Sequence, residues 1–245
     1  MLKSAAMNSQ SHDIAGRILG VSFFGAFAAQ RIYFYALDPD KGIIAHLYFA
    51  SVTATFIVIA ATYLIRAKAS AHARGFFEMI FPFIPAALPL AVAESWRGAY
   101  WTLQPPAPYF PAADFWNEFW TPREAGETIT LASTVIAIAA NALVVWSLVV
   151  LRRAFSIMAE ARILVRTGPY GRVRHPIYLG EILATAAICA GAPSPGAAIL
   201  FAAFVTLQVA RAFIEERKLA ATFPEYGDYR KRTGMIFPRL RYRDD

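Results

Sequence analysis

The sequence predicts an all-α, polytopic membrane bundle of about six transmembrane helices, closing in a helical hairpin and a basic cytoplasmic segment. Three observations carry that expectation. Apolar residues make up 57% of the 245-residue chain and charged residues only 17%, where a soluble domain carries about 25% charge. Uncharged stretches reach the roughly 20 residues that cross about 30 Å of hydrocarbon. Basic residues concentrate in alternate loops, as they do in a chain that crosses back and forth. The same composition excludes disordered, collagen-like and mucin-like chains. A single cysteine, Cys189, excludes a disulfide framework, a Cys-based zinc site and an iron–sulfur cluster. The ending Arg241-Tyr242-Arg243-Asp244-Asp245 is not expected to be a prenylation signal.

The spans follow in order. Residues 14–37 form a first candidate, interrupted by Arg17 and by Gln30-Arg31, whose arginines can snorkel to an interface. The run Ala26-Phe27-Ala28 resembles a signal-peptidase site, but Asp13 dilutes a weak basic start and favours a retained span. Residues 43–65 and 128–151 are uncharged spans. Residues 76–93 are a further candidate, third in chain order, with prolines at 82, 85 and 89 on one helical face that should kink it. Residues 177–210 carry Glu181 as their only formal charge and are too long for one helix; Ala192-Pro193-Ser194-Pro195-Gly196 breaks them into a hairpin of two helices. Each apolar half is short, rising ~22 Å, unless it continues into polar helix, and 211–223 keeps a helical pattern.

Loop charges set the orientation. Arg66, Lys68 and Arg74 fall between the second and third spans, and Arg152, Arg153, Arg162, Arg166, Arg172 and Arg174 follow the fourth. The loop 94–127 has two basic residues against five acidic ones. Both termini are therefore expected in the cytoplasm, in a bacterial inner membrane or the endoplasmic reticulum. Residues 1–151 read as an N-terminal transmembrane part and 152–245 as a separate C-terminal region. The whole net charge of +7 lies in residues 151–245, with 15 Lys+Arg against 8 Asp+Glu, while 1–150 balances 9 against 9. Pressed against a membrane, that excess faces anionic headgroups or an anionic ligand rather than nucleic acid. The loop 94–127 also holds Trp96, Trp101, Trp116 and Trp120, which read as an interfacial aromatic belt in preference to a gating cap. No internal repeat and no matched pair of interrupted spans of the transporter kind occurs.

Two clusters carry chemistry. In the first, Gly168-Pro169 makes a turn, and Pro176 holds His175 extended, so a tight, basic, aromatic loop sits at the cytoplasmic mouth of a helix. Arg172 and Arg174 could equally be positive-inside anchors. In the second, Arg211 and Glu215 share a helical face directly after an apolar helix, where ionisable groups are costly and commonly functional. Glu216 points about 100° away from that face. Arg217 and Lys218 read as a solvated helix end. Tyr226, Tyr229 and Arg232 can return to the same mouth. Glu181 either lines the pocket or supports the helix start. Cys189 reads as packing. His12, His46 and His72 carry less weight, because two histidines and a carboxylate never occur at metal-ligand spacing.

The order of these pieces is the informative feature. Gly168-Pro169-Tyr170, Arg174-His175-Pro176-x-Tyr178-x-Gly180, a hairpin, Arg211-x-x-x-Glu215-Glu216-x-x-Leu219, Phe223, then Glu225-Tyr226-x-x-Tyr229-x-x-Arg232 before Pro238 resembles the isoprenylcysteine carboxyl methyltransferase family and the related membrane phospholipid methyltransferases. The resemblance covers roughly residues 160–240; the N-terminal half shows no comparable motif. It implies S-adenosyl-L-methionine as methyl donor in a cytoplasmic pocket and a lipophilic acceptor entering from the bilayer. It further implies that Tyr170, Arg174, His175, Pro176, Tyr178, Glu216, Tyr226 and Tyr229 hold the cofactor, and that Arg211 and Glu215 are the catalytic pair, with Arg211 orienting an anionic acceptor or pairing with Glu215.

The residues themselves leave the acceptor open. A carboxylate is already ionised at neutral pH and needs only an arginine to aim it, whereas an amine must first lose a proton to a carboxylate or histidine. The resemblance and a buried arginine lean toward the carboxylate of a prenylated cysteine, ahead of phosphatidylethanolamine and of a small thiol or hydrophobic acid. Two other classes stay open: a sterol-type membrane reductase using a nicotinamide, although no glycine-rich dinucleotide fingerprint occurs, and a non-catalytic membrane scaffold or channel.

Overall fold

The computed structural model describes residues 2–36, 42–89, 119–121, 123 and 125–239. Across them the chain is helical: α1 (Leu2–Ala36), α2 (Ile43–Ile65), α3 (Gly75–Met79), α4 (Glu127–Leu151), α5 (Pro176–Gly191), α6 (Pro195–Thr222) and α7 (Tyr226–Arg232), with single 3-10 turns at Arg152–Ala154 and Gly168–Gly171. Local chemistry sets several of these starts. Pro176 opens α5 and Pro195 opens α6, positions where a missing N–H costs nothing. Ser194 caps α6 by accepting a hydrogen bond from the Ala197 amide at 3.1 Å.

Among the described residues three helices are long and apolar enough to cross a membrane, Ile43–Ile65, Glu127–Ala154 and Pro195–Thr222, and two shorter apolar stretches, Gly75–Pro89 and Pro176–Gly191, accompany them. These three fall at the second, fourth and last of the about six spans expected from the sequence. α1, interrupted by Arg17 and Gln30-Arg31, is not one of the three, though it packs along α2 through Phe24 and Ala28. The proline-rich third region breaks rather than bends: α3 stops at Met79, turns follow, and helix resumes at Phe83, with Pro82 and Pro85 fully buried. α6 continues well past the apolar run, so the polar residues from Arg211 onward stay helical.

α4 packs closely against α5, and α2 joins them through α4. The close α4–α5 approach has a definite cause: Gly180 lies against Val144 and the Ala140 carbonyl, where a Cβ would come to 2.6 Å and 2.9 Å. α5 and α6 are separated by three residues and touch, with the Cys189 thiol 3.8 Å from the Ala197 carbonyl.

The loops after α2 and α4 meet the C-terminal half of α6 at one end of the bundle. Ala71 and Ala161 form an antiparallel bridge, and Lys218 ties Glu78 at 2.5 Å and the His72 carbonyl at 2.6 Å. Beneath them lies a buried ionic cluster. Arg66 and Arg162 both contact Asp13, at 3.4 and 3.2 Å, and Arg162 pairs with Glu160 at 2.7 Å. Buried guanidinium groups survive only with such compensation. At the opposite end the Arg123 amide donates to the Pro193 carbonyl at 2.9 Å, and the Trp120 ring covers Gly196. Trp96, Trp101 and Trp116 lie outside the described residues, as does most of the loop expected to form a belt or cap.

Candidate functional site

The 168–175 loop is fixed from two sides. Gly168 adopts φ +59°, a left-handed conformation suited to glycine, and the Gly168–Gly171 turn buries Pro169 and Tyr170. From the other side the chain after α7 lies alongside it. The Arg174 and His175 amides donate to the carbonyls of Gly234 (2.8 Å) and Met235 (3.0 Å), and Val173 and Gly234 form a parallel bridge. The Tyr229 hydroxyl donates to the Tyr170 carbonyl at 2.8 Å. The C-terminal segment is thus a strap across the loop.

Charge pairing completes the anchorage. Arg174 Nε donates to Glu216 Oε1 at 2.6 Å, and its Nη1 donates to the carbonyls of Thr233 and Arg230. His175 Nε2 lies 3.3 Å from the same Glu216 oxygen, and Arg230 approaches the other at 3.6 Å. The His175 ring stacks on Tyr178, centroids 5.1 Å apart and planes 9° from parallel. Tyr178 donates its hydroxyl proton to Glu215. Glu215 also accepts from Arg211 Nε at 3.1 Å, and Arg211 Nη2 donates to the Ile157 carbonyl at 3.0 Å while its guanidinium lies over the Tyr178 ring at 4.9 Å.

These groups surround one cavity of about 550 Å³. Tyr170, Arg174, His175, Pro176, Tyr178, Arg211, Glu215, Tyr226 and Tyr229 all line it. Glu216 does not; it sits behind the wall, holding Arg174 and His175. The cavity runs on from this polar end between α1, α2, α4 and α5, where Phe24, Val52, Phe56, Ile59, Ala184 and Ile188 give it an apolar wall. It is polar at one end and apolar along the rest.

The polar end suits an amino-acid nucleoside. Burial pushes the Tyr170 phenol well above its ordinary range, and its hydroxyl has no hydrogen-bond partner within the protein. A dry, neutral hydroxyl without a partner is costly unless a ligand supplies one. Burial likewise raises Tyr226 and pushes Tyr229 up to about 12, so both stay uncharged rings at the mouth. Their edge-on pair, centroids 5.9 Å apart, offers an aromatic surface. With carboxylate and guanidinium groups beside these rings, the residues fit S-adenosyl-L-methionine, which carries an ammonium, a carboxylate, ribose hydroxyls and a purine.

Sequence reasoning left one wall residue undecided and missed several others. Glu181 lines the cavity and accepts a hydrogen bond from the fully buried Gln208. Glu160 and Arg162 also line it. The signal for Gln208 was its spacing, one turn before Arg211 on the same helix; Glu181 stands one turn after Tyr178. The Ile157 carbonyl that fixes Arg211 had no sequence signal.

The fold and site define a membrane protein with a two-part cavity, polar at the loop end and apolar between its helices. Residues 124–226 match the phospholipid methyltransferase family model, the family of the isoprenylcysteine carboxyl methyltransferase-like membrane methyltransferases, and the resemblance carried by the C-terminal motifs is borne out. Two curated relatives share a 78-residue stretch. The cobalt-zinc-cadmium resistance protein CzcN of Cupriavidus metallidurans is 40% identical, and the nickel-cobalt-cadmium resistance protein NccN of Alcaligenes xylosoxydans xylosoxydans is 41% identical. The stretch covers 31% of this chain and 36% and 37% of those relatives, so the match spans little more than a third of their length. Among the described residues no group of three His, Cys, Asp or Glu side chains is arranged to hold a metal ion.

Proposed function

We infer that the chain is an integral-membrane methyltransferase that uses S-adenosyl-L-methionine and methylates a lipophilic acceptor. The observation that carries this reading is a continuous cavity whose polar end is walled by the family motif and whose remainder is apolar and lies among the helices. When bound, the donor supplies an electrophilic methyl group on a sulfonium. Tyr170, Arg174, His175, Pro176, Tyr178, Tyr226 and Tyr229 form its seat, and Glu216 fixes that seat from behind. Arg211 and Glu215 orient the reacting end. The acceptor enters from the bilayer through the apolar part, which excludes water; holding two reactants at attack distance in a dry site supplies most of the acceleration such a transfer needs. Both termini lie in the cytoplasm on this reading, because the arginine-rich loops gather at the cavity's polar end. A C-terminal reporter active only on the outer face would overturn that orientation.

The acceptor reading shifts with the geometry. The lean toward a carboxylate assumed an arginine ready to aim it. Arg211 is instead engaged by Glu215, the Ile157 carbonyl and the Tyr178 ring. A nucleophile that arrives with a proton, such as the amine of a phosphatidylethanolamine-like headgroup, suits this wall better. The carboxylate of a prenylated-cysteine-like substrate is the second reading, favoured because the Glu215 side chain is 21% exposed and could yield Arg211 to a competing carboxylate. The reductase alternative finds no support in the family match.

The test uses purified protein in lipid discs with tritiated S-adenosyl-L-methionine, a total lipid extract and a farnesylated cysteine analogue, followed by alkali. Base-stable label in lipid supports N-methylation. Label released as volatile methanol supports the carboxylate reading, and no labelled product with either acceptor overturns the proposal.

A further inference from the structure

The carboxylates around the cavity are not equivalent. Glu160 is paired with Arg162 at 2.7 Å and Glu215 with Arg211 at 3.1 Å. Behind the wall, Glu216 is paired with Arg174 at 2.6 Å. Glu181 lines the same cavity, where the polar end meets the apolar one, beside Ala184, Thr185 and Ile188. Among the described residues it has no ion pair; its hydrogen-bond donor is the neutral amide of Gln208. Gln208 is itself 0% exposed, and its side-chain carbonyl oxygen has no partner within the protein. The charged and titratable groups around Glu181 are Arg211 and Glu215 from α6, Tyr178 from its own helix and Tyr170 from the loop. Arg211 is already committed to Glu215.

Glu181 is half-buried, facing the cavity, and a carboxylate that faces an apolar wall without a cation is costly, so such groups are kept where a ligand completes them. The missing partner here is a cation that reaches the junction of the two cavity ends. We propose that Glu181, positioned by Gln208, receives the acceptor's ammonium group and takes one proton from it. This rests on the transferase reading with its amine acceptor and gives that acceptor, a lipophilic primary or secondary amine, its proton-accepting residue. In the step, one N–H bond of the ammonium breaks and an O–H bond forms on Glu181. The electron pair stays on nitrogen, which becomes the neutral nucleophile, and the proton passes to water when the product leaves. The Gln208 amide holds the carboxylate, and its unpartnered carbonyl is a second acceptor for a remaining N–H.

Binding without the donor tests the assignment apart from catalysis. Tritiated dodecylamine and dodecanoate are equilibrated with the protein in phosphatidylcholine discs, against protein-free discs. The expected result is retention of the amine over the carboxylate by the wild type, and binding about tenfold or more weaker in Glu181→Gln, as on removing one partner of a buried charge pair. Glu181→Asp, which keeps the charge, retains the preference. Calorimetric affinity for S-adenosyl-L-methionine stays unchanged in each variant and reports that the fold is intact. With an amine acceptor, Glu181→Gln lowers kcat by about 10²–10⁴-fold, the usual contribution of a general base. Gln208→Leu lowers kcat while leaving KM for the amine near that of the wild type. Equal amine binding by Glu181→Gln, a preference for dodecanoate, or loss of donor binding with amine binding intact would each overturn the assignment. If the wild type binds the amine selectively through Glu181 but transfers no methyl group, the site assignment stands and the transferase reading fails.

Discussion

Arg174 and Glu216, 42 residues apart in sequence, meet at 2.6 Å and join the loop before α5 to the end of α6. The pair is buried on both sides, and Arg174 also holds the carbonyls of Arg230 and Thr233. One guanidinium therefore fixes three separate segments around the cavity's polar end. Glu216 earns its importance from behind the wall, by preventing Arg174 and His175 from moving.

Removing that carboxylate leaves a buried arginine uncompensated and frees the strap. Glu216→Ala is expected to weaken S-adenosyl-L-methionine binding about tenfold or more, given the 3–5 kcal/mol typical of breaking a buried pair. His175→Ala, which removes the ring stacked on Tyr178, should weaken it as well. Calorimetry on the purified variants checks both, and unchanged affinity in either defeats the role given to that residue.

Which parts of this were readable from sequence follows from range. The apolar runs reported the helices because burial in lipid demands continuous local composition; α2 and α4 came within a residue of the expected limits. The ordered motifs brought Tyr170, His175, Tyr178, Arg211 and Tyr226 onto one cavity wall because each short stretch is locally rigid. The Asp13–Arg66–Arg162–Glu160 cluster was not readable. Its members come from the first helix and two separate loops, and no spacing rule links them. Arg211 was singled out from its place directly after an apolar helix, but its engagement by the Ile157 carbonyl depends on a tertiary contact 54 residues away.

The Arg211–Glu215 pair makes a directional prediction. Arg211→Lys keeps a positive charge but loses the planar fork that spans Glu215 and the Ile157 carbonyl. It should lower kcat by about 10²-fold, the effect of slight misplacement of a positioning group, with donor affinity nearly unchanged. Single-turnover kinetics beside calorimetry separates the two quantities. A loss confined to donor affinity would instead place Arg211 in the cofactor seat.

The tyrosines give a pH dependence. Tyr170, Tyr226 and Tyr229 all have phenol pKa values raised by burial, Tyr229 to about 12. An unfolded tyrosine ionises near pH ~10. Above that pH the unfolded chain gives up protons that the folded protein keeps, so the stability these groups contribute is present below about pH 10 and falls as pH rises through the folded values. Thermal unfolding followed from neutral pH upward should show Tm falling in that window, and Tyr229→Phe should lessen the slope. A slope the substitution does not change would show that Tyr229 ionises as readily folded as unfolded.

The last prediction concerns the helix contact on which the site is built. Gly180 stands two residues after Tyr178 and one before Glu181, so the α4–α5 approach sets where both side chains enter the cavity. A methyl group at 180 would meet Val144 Cγ2 at 2.6 Å and the Ala140 carbonyl at 2.9 Å. Val144 could rotate away, but the carbonyl belongs to a helix backbone and cannot. Gly180→Ala should therefore destabilise the protein by about 1–3 kcal/mol through overpacking, measured as a lower Tm in lipid discs. Val144→Ala in the same chain should recover only part of the loss, because it relieves one of the two contacts. Full recovery would mean that the α4–α5 spacing is set by the Val144 side chain rather than by the approach of one backbone to the other.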